Sequence, residues 1–176
     1  MSALAPAAPL GLAKGTVALA DSNANWSRLY EEERARLWPT IGPLVVDIQH
    51  FGSTSIPGIK AKPILDLLVG LRRFEDGLAL IAPMQALGYE YMGTDMVPDD
   101  HLFGLGEPRT HLVHGVVHGG FHWTRNLRFR DKMRADPSLA ASYEALKVDL
   151  AQRFADRRAE YTAAKKTFIE SIADVE

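Results

Sequence analysis

Trp26, Leu29, Tyr30, Glu33 and Leu37 recur at helical spacing behind Asn23 and Asn25, either of which can cap a first turn, and Pro39 follows them. The spacing predicts a helix reaching Trp38, with one face packed on a sheet. Ahead of it, Thr16 to Leu19 reads as a short edge strand. From Leu44 to Phe51 the period falls to two: Val46, Ile48 and His50 share one side, and Val45, Asp47 and Gln49 the other, which predicts a half-buried strand. Ile64 to Leu71 is almost continuously apolar, as in a central strand covered on both faces, and Pro63 stands at its entry, where a missing N–H is tolerated.

Glu75 to Leu87 returns to a helical period, with Leu78, Ile81 and Met84 on one stripe and Gly88 as the C-terminal stop. Tyr89 to Met92, His101 to Gly104 and His111 to His118 predict three more strands. From His122 onward the pattern is helical, with breaks near Pro137 and Asp156. Leu139, Tyr143, Leu146, Leu150 and Phe154 form one stripe, and Tyr161, Ala164, Phe168 and Ile172 another. A mixed sheet (about residues 16–120) followed by a helical segment (about 121–176) is an α+β arrangement, and 176 residues suit one domain. Residues 1–15, rich in Ala, Pro and Gly, lack the basic start and apolar core of a secretory signal, and are expected to form a mobile tail on a cytoplasmic protein.

Composition narrows the chemistry. An apolar fraction of 47% and a charged fraction of 24% suit a globular domain, and no apolar run approaches the roughly 20 residues of a membrane helix. Without cysteine there is no thiolate nucleophile and no Cys-ligated zinc, so any metal rests on oxygen and imidazole. A net charge of −2 gives no global attraction for nucleic acid, though it leaves room for a local basic groove, so a polynucleotide is not the expected partner; the site residues point to a small-molecule or nucleotide ligand.

Between the two central strands lies a turn, Gly52, Ser53, Thr54 and Ser55, whose hydroxyls and successive amides can surround one anion, or else satisfy their own backbone. Asp66, inside the apolar strand, must be paired, hydrogen-bonded or metal-bound. It can hold a divalent cation in phosphoryl transfer, or form a salt bridge with Lys60, Lys62 or Arg72. His111 and His114 are three apart on one strand and point to opposite faces, so only His114 is offered as a partner of Asp66, as ligand or proton shuttle. In the helical segment, Tyr143 with Lys147 and Tyr161 with Lys165 stand four apart on one helix face. The simpler reading has each tyrosine in the core and its lysine snorkelling outward; the other presents ammonium groups to an anion.

The run HFGSTSIPGIKAKPILDLLV, with WTRNLRFRDKMRADP, YEALKVDLAQRF and YTAAKKTFIESI, resembles the GrpB family from about Val17 to Ile172. The resemblance implies the nucleotidyltransferase fold, a mixed sheet flanked by helices. In that superfamily a Gly-Ser pair contacts nucleotide phosphates, and a following strand supplies two metal-binding acids separated by one residue. Gly52 and Ser53 match the pair and Asp66 matches the first acid, but Leu68 stands where the second is expected. The family's later strand often carries two histidines one residue apart; here they are His111 and His114. The resemblance thus implies a transferase with a nucleoside triphosphate as substrate and Mg²⁺ or Mn²⁺ on Asp66 and His114. Phosphate would lie on residues 52–55 and Lys62, with Arg130, Lys147 and Lys165 balancing charge. The alternative is a nucleotide- or CoA-like-ligand-binding module that has lost transfer. Asp47 or Glu107 could replace the missing acid. Family members occur fused to dephospho-CoA kinase, yet this chain has no GxxxxGK[ST] loop, which excludes P-loop kinase chemistry.

Overall fold

The computed structural model describes residues 9–175. Five strands form one sheet in the order β1-β2-β5-β4-β3: β1 (Asp47–Phe51), β2 (Leu65–Leu71), β3 (Glu90–Gly93), β4 (His101–Leu105) and β5 (His111–Val117). Strands β2 and β5 are parallel and the other neighbours antiparallel. The registers Phe51↔Asp66, Leu68↔His114 and Leu102↔His114 put these side chains on one face of the sheet. The other face, carrying Ile48, Leu65, Leu67, Val69 and Phe103, forms the main core with Trp26, Tyr30, Leu37 and Ile41 of α1 (Asn25–Ile41) and Met84 of α2 (Ile81–Ala86).

The Asp66 face is covered at one end by α3 (Phe121–Ala135), whose Trp123 packs with Leu68 and Val116. Next, α4 (Pro137–Arg153) starts on Asp136, whose carboxylate accepts from the Ser138 and Leu139 amides while Pro137 occupies the first helical position. Helix α5 (Arg158–Ala173) returns beside it. Phe129, Met133, Tyr143 and Ala173 enclose Ile56 and Ile59, so the three C-terminal helices grip the segment between β1 and β2.

Several local expectations are corrected. Thr16 to Leu19 is not a strand; isolated bridges form instead at Leu12↔Arg109 and Ala20↔Ala61. Leu12 is buried, so residues 10–12 dock on the domain, while residues 1–8 of the expected tail lie outside the described residues. Helix α1 runs through Pro39, because in the last turn a proline removes one hydrogen bond while the helix goes on to bury Ile41 completely. Strand β1 starts three residues later than expected, after a 3-10 turn at Gly42–Leu44. The helix after β2 is 3-10 over Phe74–Leu80, and its three-residue turn buries Gly77 and Leu80, leaving Leu78 60% exposed rather than on the inner stripe. Gly88 ends α2 at φ 90° as expected.

Candidate functional site

Strand β1 ends at Phe51, and the chain turns at Gly52, with φ 71°, into a single 3-10 turn, Ser53–Ser55. A Cβ on Gly52 would stand 2.5 Å from Asp66 Oδ2, so glycine serves both the left-handed backbone and the close approach to the acid. Asp66 Oδ1 lies 4.0 Å from His114 Nε2. The other imidazole nitrogen, Nδ1, is 2.5 Å from Asp100 Oδ2. Asp100 immediately precedes β4 and is 4% exposed, and its Oδ1 has no hydrogen-bond partner. Phe51 meets the imidazole edge-on at 5.1 Å.

Three lysines gather near Asp66 or beside one another from other directions: Lys62 from the segment entering β2, Lys147 from α4 and Lys165 from α5. The ammonium groups of Lys62 and Lys165 lie 5.5 and 4.5 Å from the centre of the Tyr161 ring, and that of Lys147 lies 4.8 Å from the Tyr143 ring. Lys147, 1% exposed, donates to the Lys60 carbonyl. Among the described residues none of the three is in an ion pair with a carboxylate. Burial pushes the Lys147 ammonium down to about 7, and the charges of Lys165 and Lys62 act in the same direction while Glu144 opposes. Burial likewise lowers Lys62 and Lys165 to about 8, and in both the Asp66 charge works against it.

Burial raises the Asp66 carboxyl, against the opposing charges of His114, Lys62 and Lys165. For His114, burial alone would favour the neutral ring, but the Asp100 charge and hydrogen bond, with Asp66, outweigh it and raise the imidazole above its ordinary value. Burial pushes the Tyr143 phenol up to about 12, with the nearby Ser53 hydroxyl opposing, which places Ser53 against α4.

The remaining turn residues face elsewhere. Thr54 Oγ1 is 2.9 Å from His50 Nε2, and the Ser55 hydroxyl donates to the Gly52 carbonyl at 2.5 Å, so both hydroxyls are spent within the fold. Arg130, expected among the anion-binding groups, is instead on the outer side of β1, donating to Gln49 Oε1 at 3.0 Å and to the His50 carbonyl at 2.9 Å. Beside it, Arg134 donates to the Ser55 carbonyl at 2.8 Å. These two arginines brace the turn from behind.

Comparison with known proteins identifies the family and the fold. A family model described as GrpB protein matches residues 16–174. The chain belongs to the GrpB family. It is 36% identical over 169 residues to the "Glutamate-rich protein GrpB" of Alkalihalophilus pseudofirmus, covering 93% of this chain and 97% of that one. It is 37% identical to YqkA of Bacillus subtilis over 85% of this chain but only 44% of the relative. The crystal structure of GrpB from Enterococcus faecalis superposes with a TM-score of 0.81 at 32% identity, over 89% of this chain and 95% of that one. The fold also resembles that of Cid1, in a complex with its short product ApU, with a TM-score of 0.54 at 14% identity, over 76% of this chain and 43% of Cid1. At that identity the likeness concerns the fold alone.

Within this GrpB chain, the position of the absent second acid is closed. Leu68 is fully buried under Trp123, with Phe51 and Leu127 packed around it. Neither acid considered as its replacement arrives: Asp47 sits at the outer edge with Arg34 at 3.7 Å, and Glu107 is in the β4–β5 turn, where its charge acts on Arg158. Asp100 reaches the site instead, but its Oδ2 is committed to the imidazole. Among the described residues no three His, Asp or Glu side chains are grouped to hold a metal ion, so the donors present do not fit a resident two-ion centre.

The simple strand-end salt bridge for Asp66 is also absent: Lys60 pairs with Asp21, and neither Lys62 nor Arg72 comes within 4.0 Å of the acid. Both tyrosine–lysine pairs turn their ammonium groups inward rather than snorkelling out, because the helix faces carrying them pack over the sheet. The sequence reading missed Asp100. Its one local signal is a carboxylate immediately before a histidine-led strand, and its contact depends on the Leu102↔His114 register.

Proposed function

We propose that this chain binds a nucleoside triphosphate by its phosphate chain, between the Gly52–Ser53 turn and the α4–α5 lysines, and transfers a nucleotidyl or phosphoryl group to a hydroxyl-bearing small molecule. The observation that carries this reading is the grouping of Lys62 and Lys165 about Asp66, with Lys147 beside those two lysines, their ammonium groups held by ring faces and a carbonyl rather than by carboxylates. Positive charge buried without neutralising partners costs stability, and a polyphosphate supplies the missing negative charge. The same groups then meet the charge that develops on the leaving phosphate, so that binding and transfer draw on one set of contacts. Asp66 is the acid that faces the reacting group, and Mg²⁺ or Mn²⁺ belongs to this reading as a companion of the incoming phosphate chain.

Calorimetry with ATP, GTP, CTP and UTP, in Mg²⁺, Mn²⁺ or EDTA, combined with assays of pyrophosphate and phosphate release, tests the proposal. Lys165→Met is expected to weaken nucleotide binding about tenfold, the loss of one charge-assisted contact. Asp66→Asn is expected to leave binding within a few-fold and to abolish turnover. If no nucleotide binds, or if Asp66→Asn turns over like the parent, the reading is wrong. The closed position at Leu68 favours a second reading, a module that binds the same ligand without transferring from it; nucleotide that binds and is recovered intact identifies that case.

A further inference from the structure

The contact between Asp100 and His114 is not required for binding phosphate, and the nitrogen it leaves free points to a definite use. Asp100 Oδ2 is 2.5 Å from Nδ1, and a carboxylate oxygen there can only accept, so Nδ1 carries the proton and Nε2 is the free position. Nε2 stands 4.0 Å from Asp66 Oδ1. That separation is too long for a hydrogen bond and admits one oxygen at about 2.8 Å from both atoms. Gly52 lies against the other carboxylate oxygen, Oδ2, where an added Cβ would stand at 2.5 Å, so the turn packs on Asp66 from that side.

The charged surroundings of His114 are Asp100 from the segment before β4 and Asp66 from β2, and the charges of Lys62 and Lys165 act in turn on Asp66; from β1 the neutral ring of Phe51 meets the imidazole. Two carboxylates flank one imidazole, an arrangement that stabilises the ring once it has accepted a proton. It resembles the functional logic of a carboxylate-oriented histidine base, in which the carboxylate fixes the tautomer and does not itself take the proton.

We infer that Asp100 and His114 form a proton-accepting dyad: the acceptor hydroxyl sits between Asp66 Oδ1 and His114 Nε2, and Asp100 is the positioning residue that holds the ring. This rests on the transfer reading above. In the step, the hydroxyl proton passes to Nε2 while the hydroxyl oxygen forms a bond to the α-phosphorus of the nucleoside triphosphate. The bond from that phosphorus to the bridging oxygen breaks, and pyrophosphate leaves with the electron pair toward Lys62, Lys147 and Lys165. The imidazolium, held by Asp100, returns its proton to solvent after product leaves. The dyad thus supplies activation of the attacking oxygen at a site whose second acid position is filled by Leu68.

The test uses the full chain with ¹⁵N-labelled histidine. The parent, Asp100→Asn, Asp100→Glu and His114→Gln are compared by imidazole NMR titration, by nucleotide calorimetry and by the pH profile of kcat/KM, with melting temperatures as the check on folding. His114→Gln assigns the His114 resonances. The parent is expected to show the neutral ring as the Nδ1–H tautomer, with that proton shifted far downfield. Asp100→Asn should lose this resonance, lower the His114 pKa, and reduce kcat/KM about 100-fold or more, with the acid limb of the profile moving to lower pH. Asp100→Glu should recover part of the rate, and His114→Gln should bind nucleotide as the parent does while losing turnover.

Nucleotide bound and turned over at parental rates by Asp100→Asn or His114→Gln overturns the dyad while leaving the transfer reading standing. An Nε2–H tautomer in the parent overturns it as well. Failure of every variant and the parent to bind any nucleotide overturns the transfer reading itself, and the dyad with it.

Discussion

At Lys147 an ammonium is buried to 1% exposure with a backbone carbonyl as its hydrogen-bond partner, and its pKa falls to about 7. In an unfolded chain a lysine titrates near 10.4. Between these values the unfolded state binds more protons than the folded one, so stability rises with pH from about 7 to 10 and the cost of the buried charge is greatest below about 7. Chemical denaturation across pH 7 to 10 is expected to show this rise in the parent, and Lys147→Met should remove its share, most visibly between pH 7 and 8, leaving the rise that Lys62 and Lys165 contribute above about 8. The ligand follows the opposite sign: once the triphosphate is fully ionised above pH 7, its affinity should fall as Lys62 and Lys165 lose protons near 8. Calorimetry at pH 7 and pH 9 checks that direction. The identities of these groups were legible in the chain, since residues four apart share a helix face; their inward direction was not. Spacing fixes which side chains travel together, and packing fixes which way they look. Asp100 lay further from view, because only the β4–β5 register carries it to His114.

Among the elements, the turn between β1 and β2 is where sequence and geometry agree most closely. Gly52 is required twice, by its φ of 71° and by Asp66 Oδ2 at 2.5 Å from any added Cβ. Gly58, at φ 82°, has nothing within 4 Å of the same position. Gly58→Ala is therefore expected to cost only the backbone penalty, about 1 kcal/mol. Gly52→Ala should cost about 2 kcal/mol more, because a well-packed site must shift to admit the methyl, and it should lose nucleotide binding as well. Denaturant melts of the two variants side by side check the difference. The strands were legible from their apolar runs, and the stop at Gly88 from its residue type. The 3-10 course of Phe74–Leu80 was not, because a three-residue turn and a 3.6-residue turn share most of their apolar positions over so short a span.

For the molecule as a whole, the sheet supplies Asp66 and His114, while two of the three lysines come from helices near the end of the chain. Binding at the proposed site would join parts that are distant in sequence, and any ligand bound only by the folded state would stabilise that joint, by about 2.7 kcal/mol at a ligand concentration 100 times Kd. Hydrogen exchange with saturating ATP is expected to slow in α4, α5 and residues 52–55, and to change little in β3 and the start of β4; uniform protection would argue against a site shared between sheet and helices. The two borders of the sheet have another consequence. Along β1, the outward carbonyl of Ile48 accepts from the Tyr30 hydroxyl at 2.8 Å and that of His50 from Arg130 at 2.9 Å, while the Ile48 amide is held by Asp47 at 2.8 Å. The opposite border, β3, is four residues long and bulged between Tyr91 and Gly93. With the outward groups of β1 taken and β3 short and bulged, neither border presents a long, flat edge to a foreign strand, so Arg130, which holds the end of β1 before the Gly52 turn, also guards the protein against edge-to-edge aggregation.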